Sequence, residues 1–477
     1  MGRWISGGGL TAEGKHACHV FTFFAFIIAF ELLTGGIRWA PSEDQEIDPI
    51  AAYGFIGASL LFLLRAASLL VLPQCIFNFF GLIWQNAFRD KVKLKSSPLL
   101  APFICIRVVT RGDFPQLVRD NVAKNIDTCL RAGIENFYVE VVTDKSVNLA
   151  KNPRSREVVV PREESYKTKT GAKFKARALQ YCLEDDVNVL RDDDWICHLD
   201  EETLLTENSI CGVVNFCTDG KHEFGQGVIT YANPPIINWI TTLSDSFRVA
   251  DDMGKLRFQL SYFHRPIFGW KGSFVVTKVG AERKVSFDHG PDGSIAEDCY
   301  FSMVAYRDGY SFNFVEGEMR EKSPFSLWDF LQQRKRWLQG IFLVVHSKEI
   351  PWRQKIWLGC SLYAWAGLPF TTMNVFLAGL LPLPRYVIFD FLVAWVGAVN
   401  LYMYVFGVVK SFAALRCPPW KMGLYTLGAL ATIPFNVAIE NVAVLWGCFG
   451  SKYQFYVVNK NLPLTSVERL EEGAQIV

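Results

Sequence analysis

The sequence predicts a globular α/β domain on a mostly parallel sheet with flanking helices, inserted between N- and C-terminal transmembrane α-helical segments. Three observations predict it. Long apolar runs crowd both ends of the 477-residue chain, the middle alternates strand-like and helix-like patterns, and its strand-like segments end in carboxylates. A hydrophobic content of 50%, with 38 Phe and 14 Trp, is high for a soluble protein.

At the N-terminal end, residues 17–37 are apolar apart from His19 and Glu31, and residues 50–84 form a second run interrupted by Arg65. Both reach the ~20 residues needed to cross a bilayer. The first lies too far into the chain, and is too rich in Phe, for a cleaved signal peptide, so a retained anchor is expected. Apolar runs return at 356–381, 386–409 and 422–450. Arg89, Lys91, Lys93 and Lys95 follow the second run, Lys410, Arg416 and Lys421 precede the last, and the link at 42–48 is acidic. The positive-inside rule then places the N-terminus and the middle domain in the cytosol. The expected division is 1–95, an N-terminal tip and two spans; 96–349, the globular domain; 350–450, a C-terminal bundle; and 451–477, a tail.

Within the globular part, 103–110 reads as a buried strand, 116–133 as a helix closed by Gly133, and 136–143 as a second strand leading to Asp144. A helix at 172–185 and a strand at 192–200 repeat the unit. Strand, helix, strand implies parallel pairing, and ligands of such sheets bind at the carboxyl ends of the strands. Thr110, Arg111, Asp144 and Asp200 fall there. A net charge of +2 shows no excess of base for a nucleic-acid partner. The 12 Cys form no CxxC pair, which suggests neither a disulfide framework nor a zinc site.

Three charged islands carry chemistry. Asp200 and Glu202, with one residue between them at a strand end, can approach one divalent cation, Mg²⁺ or Mn²⁺, and a diphosphate that it bridges. Glu297 and Asp298 open a segment of helical apolar spacing; carboxylates in a first turn suit the helix dipole, and Asp298 there can also serve as a base in a cleft. Gln333, Arg336 and Trp337 share one helical face by their spacing, suiting both an interfacial helix and a set of donors to a sugar or pyrophosphate. Lys175 is a phosphate-contact candidate. Trp270, Gly272 and Ser273 form a turn whose indole either stacks on a sugar or packs into the core.

With these residues in hand, the chain resembles membrane-integrated family-2 glycosyltransferases: Asp144, Lys175, the triad Asp200-Glu201-Glu202, the pair Glu297-Asp298, and the Q-x-x-R-W signature Gln333 to Trp337 stand in the family's order. Glu stands where the second Asp of the triad is usual. More closely, the stretches at 108–118, 170–185, 198–203 and 332–341 are similar to the Egghead family of β-1,4-mannosyltransferases. The resemblance implies a GT-A-like fold and transfer of mannose, with inversion, from GDP-mannose to the glucose of glucosylceramide or a related lipid. It implies Asp298 as base; Thr110, Arg111, Asp144, Lys175 and Asp200 at the donor; Asp200 and Glu202 on a divalent cation; and Trp270, Gly272, Ser273, Glu297, Gln333, Arg336 and Trp337 at the acceptor and pyrophosphate. It further implies a multi-pass protein of the endoplasmic reticulum or Golgi membrane. The same motifs also serve processive polysaccharide synthases, and a catalytically silent membrane scaffold is the reading from another class.

The tail poses a conflict. Three simple spans after the domain would put it in the lumen, yet Phe455, Val457 and Lys460 resemble a gating segment that works at the cytosolic donor site. The last run also carries Pro434, Asn436, Glu440 and Asn441 near its middle. Polar groups there are costly on a lipid-facing span. The expectation is that 422–450 enters and returns as a broken or re-entrant helix pair, the alternative being one Pro-kinked span with polar residues facing the bundle.

Overall fold

The computed structural model describes residues 5–6, 9–37, 47–89, 91–413 and 417–460. Its globular part is built on seven strands: β1 Ile104–Thr110, β2 Phe137–Thr143, β3 Ser155–Val159, β4 Trp195–Asp200, β5 Phe224–Thr230, β6 Val275–Lys278 and β7 Phe312–Arg320. They form one sheet in the order β3-β2-β1-β4-β6-β5-β7. The first four are mutually parallel, β6 runs antiparallel to β4 and β5, and β7 is parallel to β5. This is a GT-A-like mixed sheet, mostly parallel as the sequence predicts. Val and Ile at both faces make β1 buried throughout, as expected for a strand covered by helices on two sides.

The N-terminal helices are α1 Ala12–Thr34, α2 Pro49–Ala67 and α3 Leu72–Trp84; those around the sheet are α4 Pro115–Arg131, α5 Phe174–Tyr181, α6 Glu207–Asp219, α7 Trp239–Ser244, α8 Ser246–Asp251, α9 Val279–Val285 and α10 Glu297–Arg307. Then come α11 Leu327–His346, α12 Trp352–Ala366, α13 Leu368–Leu380, α14 Val387–Phe412 and α15 Pro419–Phe449. Among the described residues, four stretches are long and apolar enough to cross a membrane: Ala12–Thr34, Pro49–Trp84, Val387–Phe412 and Pro419–Phe449. The run at 356–381 is instead divided at Gly367 into α12 and α13. Arg65, the charge inside the second run, donates to the Pro384 carbonyl at 2.9 Å and pairs with Asp390. A partnered arginine is tolerable in that setting.

The last run departs from expectation. Residues 419–449 form one continuous helix through Pro434, not a broken pair. Its polar residues find partners where they stand: Asn436 donates to the Tyr404 hydroxyl at 2.6 Å, Glu440 accepts from Trp365 Nε1 at 2.8 Å, and Asn441 donates to Thr372 at 3.0 Å. Breaking the helix would leave more polar backbone unpaired in an apolar setting. Tyr425 near its start packs on Trp239 of α7, ring centroids 5.1 Å apart. Near its end Gln339 of α11 donates to the Gly447 carbonyl at 3.2 Å. Both ends of α15 thus lie against the globular part, and the tail leaves it there without a helical reversal. Arg416, the acidic residues at 42–46 and the tail beyond Lys460 lie outside the described residues.

Candidate active site

Asp200 is the last residue of β4, between β1 and β6. Its backbone N–H donates to Ser273 Oγ at 3.2 Å, and its carboxylate accepts from Lys175 Nζ at 2.6 Å. Burial alone would raise the Asp200 carboxyl; the Lys175 ammonium overrides burial and holds it below its usual range. Lys175 also lies 3.7 Å from Glu297, so one lysine bridges two of the islands. Thr110, at the end of β1, bonds Glu201 through its hydroxyl, and Arg111 is mostly exposed and pairs with Asp113 at 3.4 Å. Asp144 lies 3.8 Å from Arg177. Its carboxyl is raised by burial.

Glu297 and Asp298 form the first turn of α10. Asp298 accepts its helix's own Cys299 N–H at 2.7 Å, and its carbonyl accepts from Trp270 Nε1 at 2.7 Å. Burial raises the Asp298 carboxyl. Burial and then the Asp298 charge push Glu297 to about 7. Gly272 packs closely beside the pair: a Cβ there would lie 3.0 Å from Asp298 Oδ2 and crowd the carboxylate.

Two residues of the neighbouring turn are held by the fold. Trp270 is 7% exposed, stacked on Phe301, and donates its indole N–H to the Asp298 backbone carbonyl, which ties the turn to the start of α10 while the residue still lines the cavity. Ser273 is buried and ties the turn after β4 together through Asp200 and Thr203, the latter at 2.9 Å.

The third island lies on α11. Arg336 and Gln333 face the same cavity as Asp298, and Arg248 and Arg334 lie 4.5 and 4.6 Å from the Trp337 ring centre. Arg334 also lines the cavity and bonds Asp245 at 2.6 Å. The tail crosses over this helix. Tyr456 donates to Asp329 of α11 at 2.8 Å, Phe455 stacks on Phe174 at 5.1 Å beneath the Arg336 guanidinium, and Lys460 Nζ reaches Glu201 at 2.8 Å and Glu202. Lys460 therefore sits beside the triad. Burial would lower its ammonium, but Glu202 and Glu201 outweigh burial and raise it.

These groups line one cavity of about 2040 Å³. Its lining includes Thr110, Asp144, Asp200 and Asp298 of the globular part and the apolar Leu368, Val375, Val396 and Leu401 of α13 and α14. A polar end at the strand tips thus opens into an apolar end among long apolar helices.

Comparison with known proteins places this geometry. The Glycosyl transferase family group 2 model matches residues 195–410. The "Beta-1,4-mannosyltransferase bre-3" of Caenorhabditis briggsae is 62% identical over 454 residues, covering 95% of this chain and 99% of that one. The "Beta-1,4-mannosyltransferase egh" of Drosophila melanogaster is 60% identical over 453 residues, covering 95% and 99%. The chain belongs to this β-1,4-mannosyltransferase family. Among solved structures, Staphylococcus aureus TarS 1–349 in complex with UDP is similar at TM-score 0.33 and 11% identity, over 77% of this chain and 98% of that one.

A family-2 mannosyltransferase works on a nucleotide sugar, for which a divalent cation is a typical companion, and the donor set fits one. Among the described residues no three His, Cys, Asp or Glu side chains converge as a metal cage. Asp200 and Glu202 both open to the cavity, and two carboxylates completed by substrate phosphates is the usual way Mg²⁺ is held. Around them Glu201, Glu297, Asp298 and Glu321 face Lys175, Lys460 and Arg336. Glu321 was not foreseen from the sequence: it follows β7, accepts from Thr203 at 2.5 Å, and is pushed up to about 8 by burial and then by Glu202 and Asp200. A lone Glu after a strand carries no local signal.

Proposed function

We propose that this family-2 enzyme transfers mannose from GDP-mannose to the glucose of glucosylceramide, or a related lipid, on the cytosolic face of an endoplasmic reticulum or Golgi membrane. The observation that carries the reading is the continuous cavity: Asp298 and the polar strand ends line the same space as apolar residues of α13 and α14. A water-soluble donor and a lipid acceptor can meet only at such a junction. Thr110, Arg111 and Asp144 are assigned to the nucleoside end, Lys175 and Arg336 to the diphosphate, and Gln333 and Trp337 to the sugar-facing wall.

The acceptor hydroxyl oxygen attacks the anomeric carbon while Asp298 takes its proton, and the bond from that carbon to the diphosphate oxygen breaks, releasing GDP. In-line attack from the face opposite the leaving group inverts the anomeric centre and needs one base. Asp298 is suited by its raised carboxyl and its place on a rigid first turn. Lys175 and Arg336 supply donors where charge develops on the diphosphate. A divalent cation held by Asp200 and Glu202 would neutralise the same charge when bound.

The test incubates the purified full chain with GDP-mannose, or with UDP-hexoses, and glucosylceramide, followed by mass spectrometry of the lipids. The expected result is a single added hexose from GDP-mannose only. Long hexose polymers would establish the processive reading instead, and no lipid product from GDP-mannose would refute the proposal.

A further inference from the structure

One wall of the cavity is polar in a way that the donor does not use. After α8 the chain widens into π-helical turns at Asp252–Leu256 and Gln259–Phe263. π-turns often mark functional positions. The first packs on α3 so closely that a Cβ on Gly81 would lie 2.1 Å from the Gly254 carbonyl oxygen. Asn78 of α3 fills the contact, accepting the Lys255 N–H at 2.7 Å and donating to Asp251 at 3.0 Å.

Asp251 is thereby satisfied, with Lys255 at 2.9 Å as a further partner. Asp252 is not. It is 1% exposed and lines the cavity; one carboxylate oxygen is held by Lys271 Nζ, and the other, Oδ2, has no hydrogen-bond partner among the described residues. Leaving such an oxygen unsatisfied costs about 1–3 kcal/mol, and more for a charged group. Lys271 is itself fixed from both sides of its backbone, its N–H donating to Gln226 Oε1 at 3.0 Å and its carbonyl accepting from Gln226 Nε2 at 3.1 Å. It immediately precedes Gly272, the residue that makes room for Asp298.

The charges name the ligand class. Asp251 and Asp252 disfavour a diphosphate, while Lys255, Lys271 and Arg248 disfavour a free cation. A neutral polyhydroxyl group suits a carboxylate that accepts one O–H beside an ammonium that donates to the next oxygen. We propose that Asp252 and Lys271 form the subsite for the acceptor sugar of the lipid and position its attacking hydroxyl toward Asp298. The inference rests on the proposed function for its acceptor and adds the residues that select it. Asp252 and Lys271 bind and orient; the proton goes to Asp298.

The test is binding of a short-chain alkyl glucoside to the purified full chain without donor, compared with its 2-, 3- and 6-deoxy analogues. The unmodified protein should bind at least one deoxy analogue about tenfold or more weakly, the loss expected for one hydrogen bond to a charged group. In Asp252→Asn that penalty should shrink to within threefold, while GDP-mannose affinity stays near that of the parent. All three analogues binding the unmodified protein within threefold of the parent glucoside would overturn the subsite, and this arm needs no variant to fold. A penalty that persists in Asp252→Asn would also overturn it. Glucoside binding with the expected penalty, but no transfer from GDP-mannose, would refute the proposed donor and leave the sugar subsite supported.

Discussion

Two clusters of buried charge lie on the same sheet, a few residues apart on the same strands, and they behave oppositely. In the first, Glu140 of β2, Arg107 of β1 and His198 of β4 occupy one cross-strand row. Arg107 bonds Glu140 at 2.6 Å and Glu282 at 3.3 Å, His198 meets Glu282 at 2.6 Å, and Arg156 closes on Glu140. In the second, two residues further along β4, six carboxylates face Lys175, Lys460 and Arg336. Burial pushes carboxyls up in both places. In the first cluster the partners override it: Arg107 and Arg156 bring Glu140 down, and His198 with Arg107 brings Glu282 down. In the second, Glu297 stays up at about 7 and Glu321 at about 8. The difference separates a balanced network that holds the sheet from an unbalanced one arranged around ligands.

The largest effect should come from breaking the balanced cluster. Arg107→Met strips one buried cation from Glu140 and Glu282 together, and should cost about 3–5 kcal/mol of stability. Thermal unfolding in detergent would show it as a large fall in midpoint, with no special sensitivity to Mg²⁺ or Mn²⁺. The unbalanced cluster should respond the other way. Asp200→Asn or Glu202→Gln should leave the unfolding midpoint near that of the parent but lower transfer about 100-fold or more, the scale of losing one charge-stabilising group. Stabilisation by Mg²⁺ or Mn²⁺ with GDP should disappear with it.

A smaller effect is expected at the tail. Lys460→Met removes the cation beside Glu201 and Glu202, and should raise the GDP-mannose KM about tenfold with a modest change in midpoint. Equal losses for soluble hydrolysis and lipid transfer would place the effect at the donor. The smallest is a pH effect with a definite sign. Carboxyls raised in the folded state bind protons that the unfolded chain has released, so ligand-free stability should fall as pH rises from 4.5 through about 7 and about 8 for Glu297 and Glu321. Glu140 and Glu282, held low, contribute stability that is lost only as pH falls through the acid range. Melting curves across pH, run with Arg107→Met as a comparison, separate the two contributions.

Much of the unbalanced cluster was legible in sequence because its members stand in local patterns. A β-strand that ends in carboxylates puts Asp200 at a sheet tip, and an acidic pair ahead of helical spacing puts Asp298 in a first turn. The balanced cluster gave no such signal, since Arg107, Glu140 and His198 become neighbours only through strand register. Long-range closure carried no local pattern; for the tail, only the resemblance of Phe455 and Lys460 to a gating segment pointed to the donor site. Lys460 and Glu202 are 258 positions apart, and the Asp252–Lys271 pair depends on a π-turn that Asn78 stabilises from another helix. For Trp270 the sequence left sugar stacking and core packing both open, and the bond from its indole to the Asp298 carbonyl is visible only in the packed structure. The helix at 419–449 was expected to break at polar residues whose partners, Tyr404, Trp365 and Thr372, come from three other helices.

The most direct test of the account is Asp298→Asn, measured in one preparation for both cation-dependent GDP-mannose binding and mannose transfer to glucosylceramide. The amide keeps the shape of the carboxylate but cannot take the acceptor's proton. Donor affinity within about threefold of the parent, with transfer reduced by about 100-fold or more, is the predicted result. Transfer within about tenfold of the parent would contradict the assignment of Asp298 as the base.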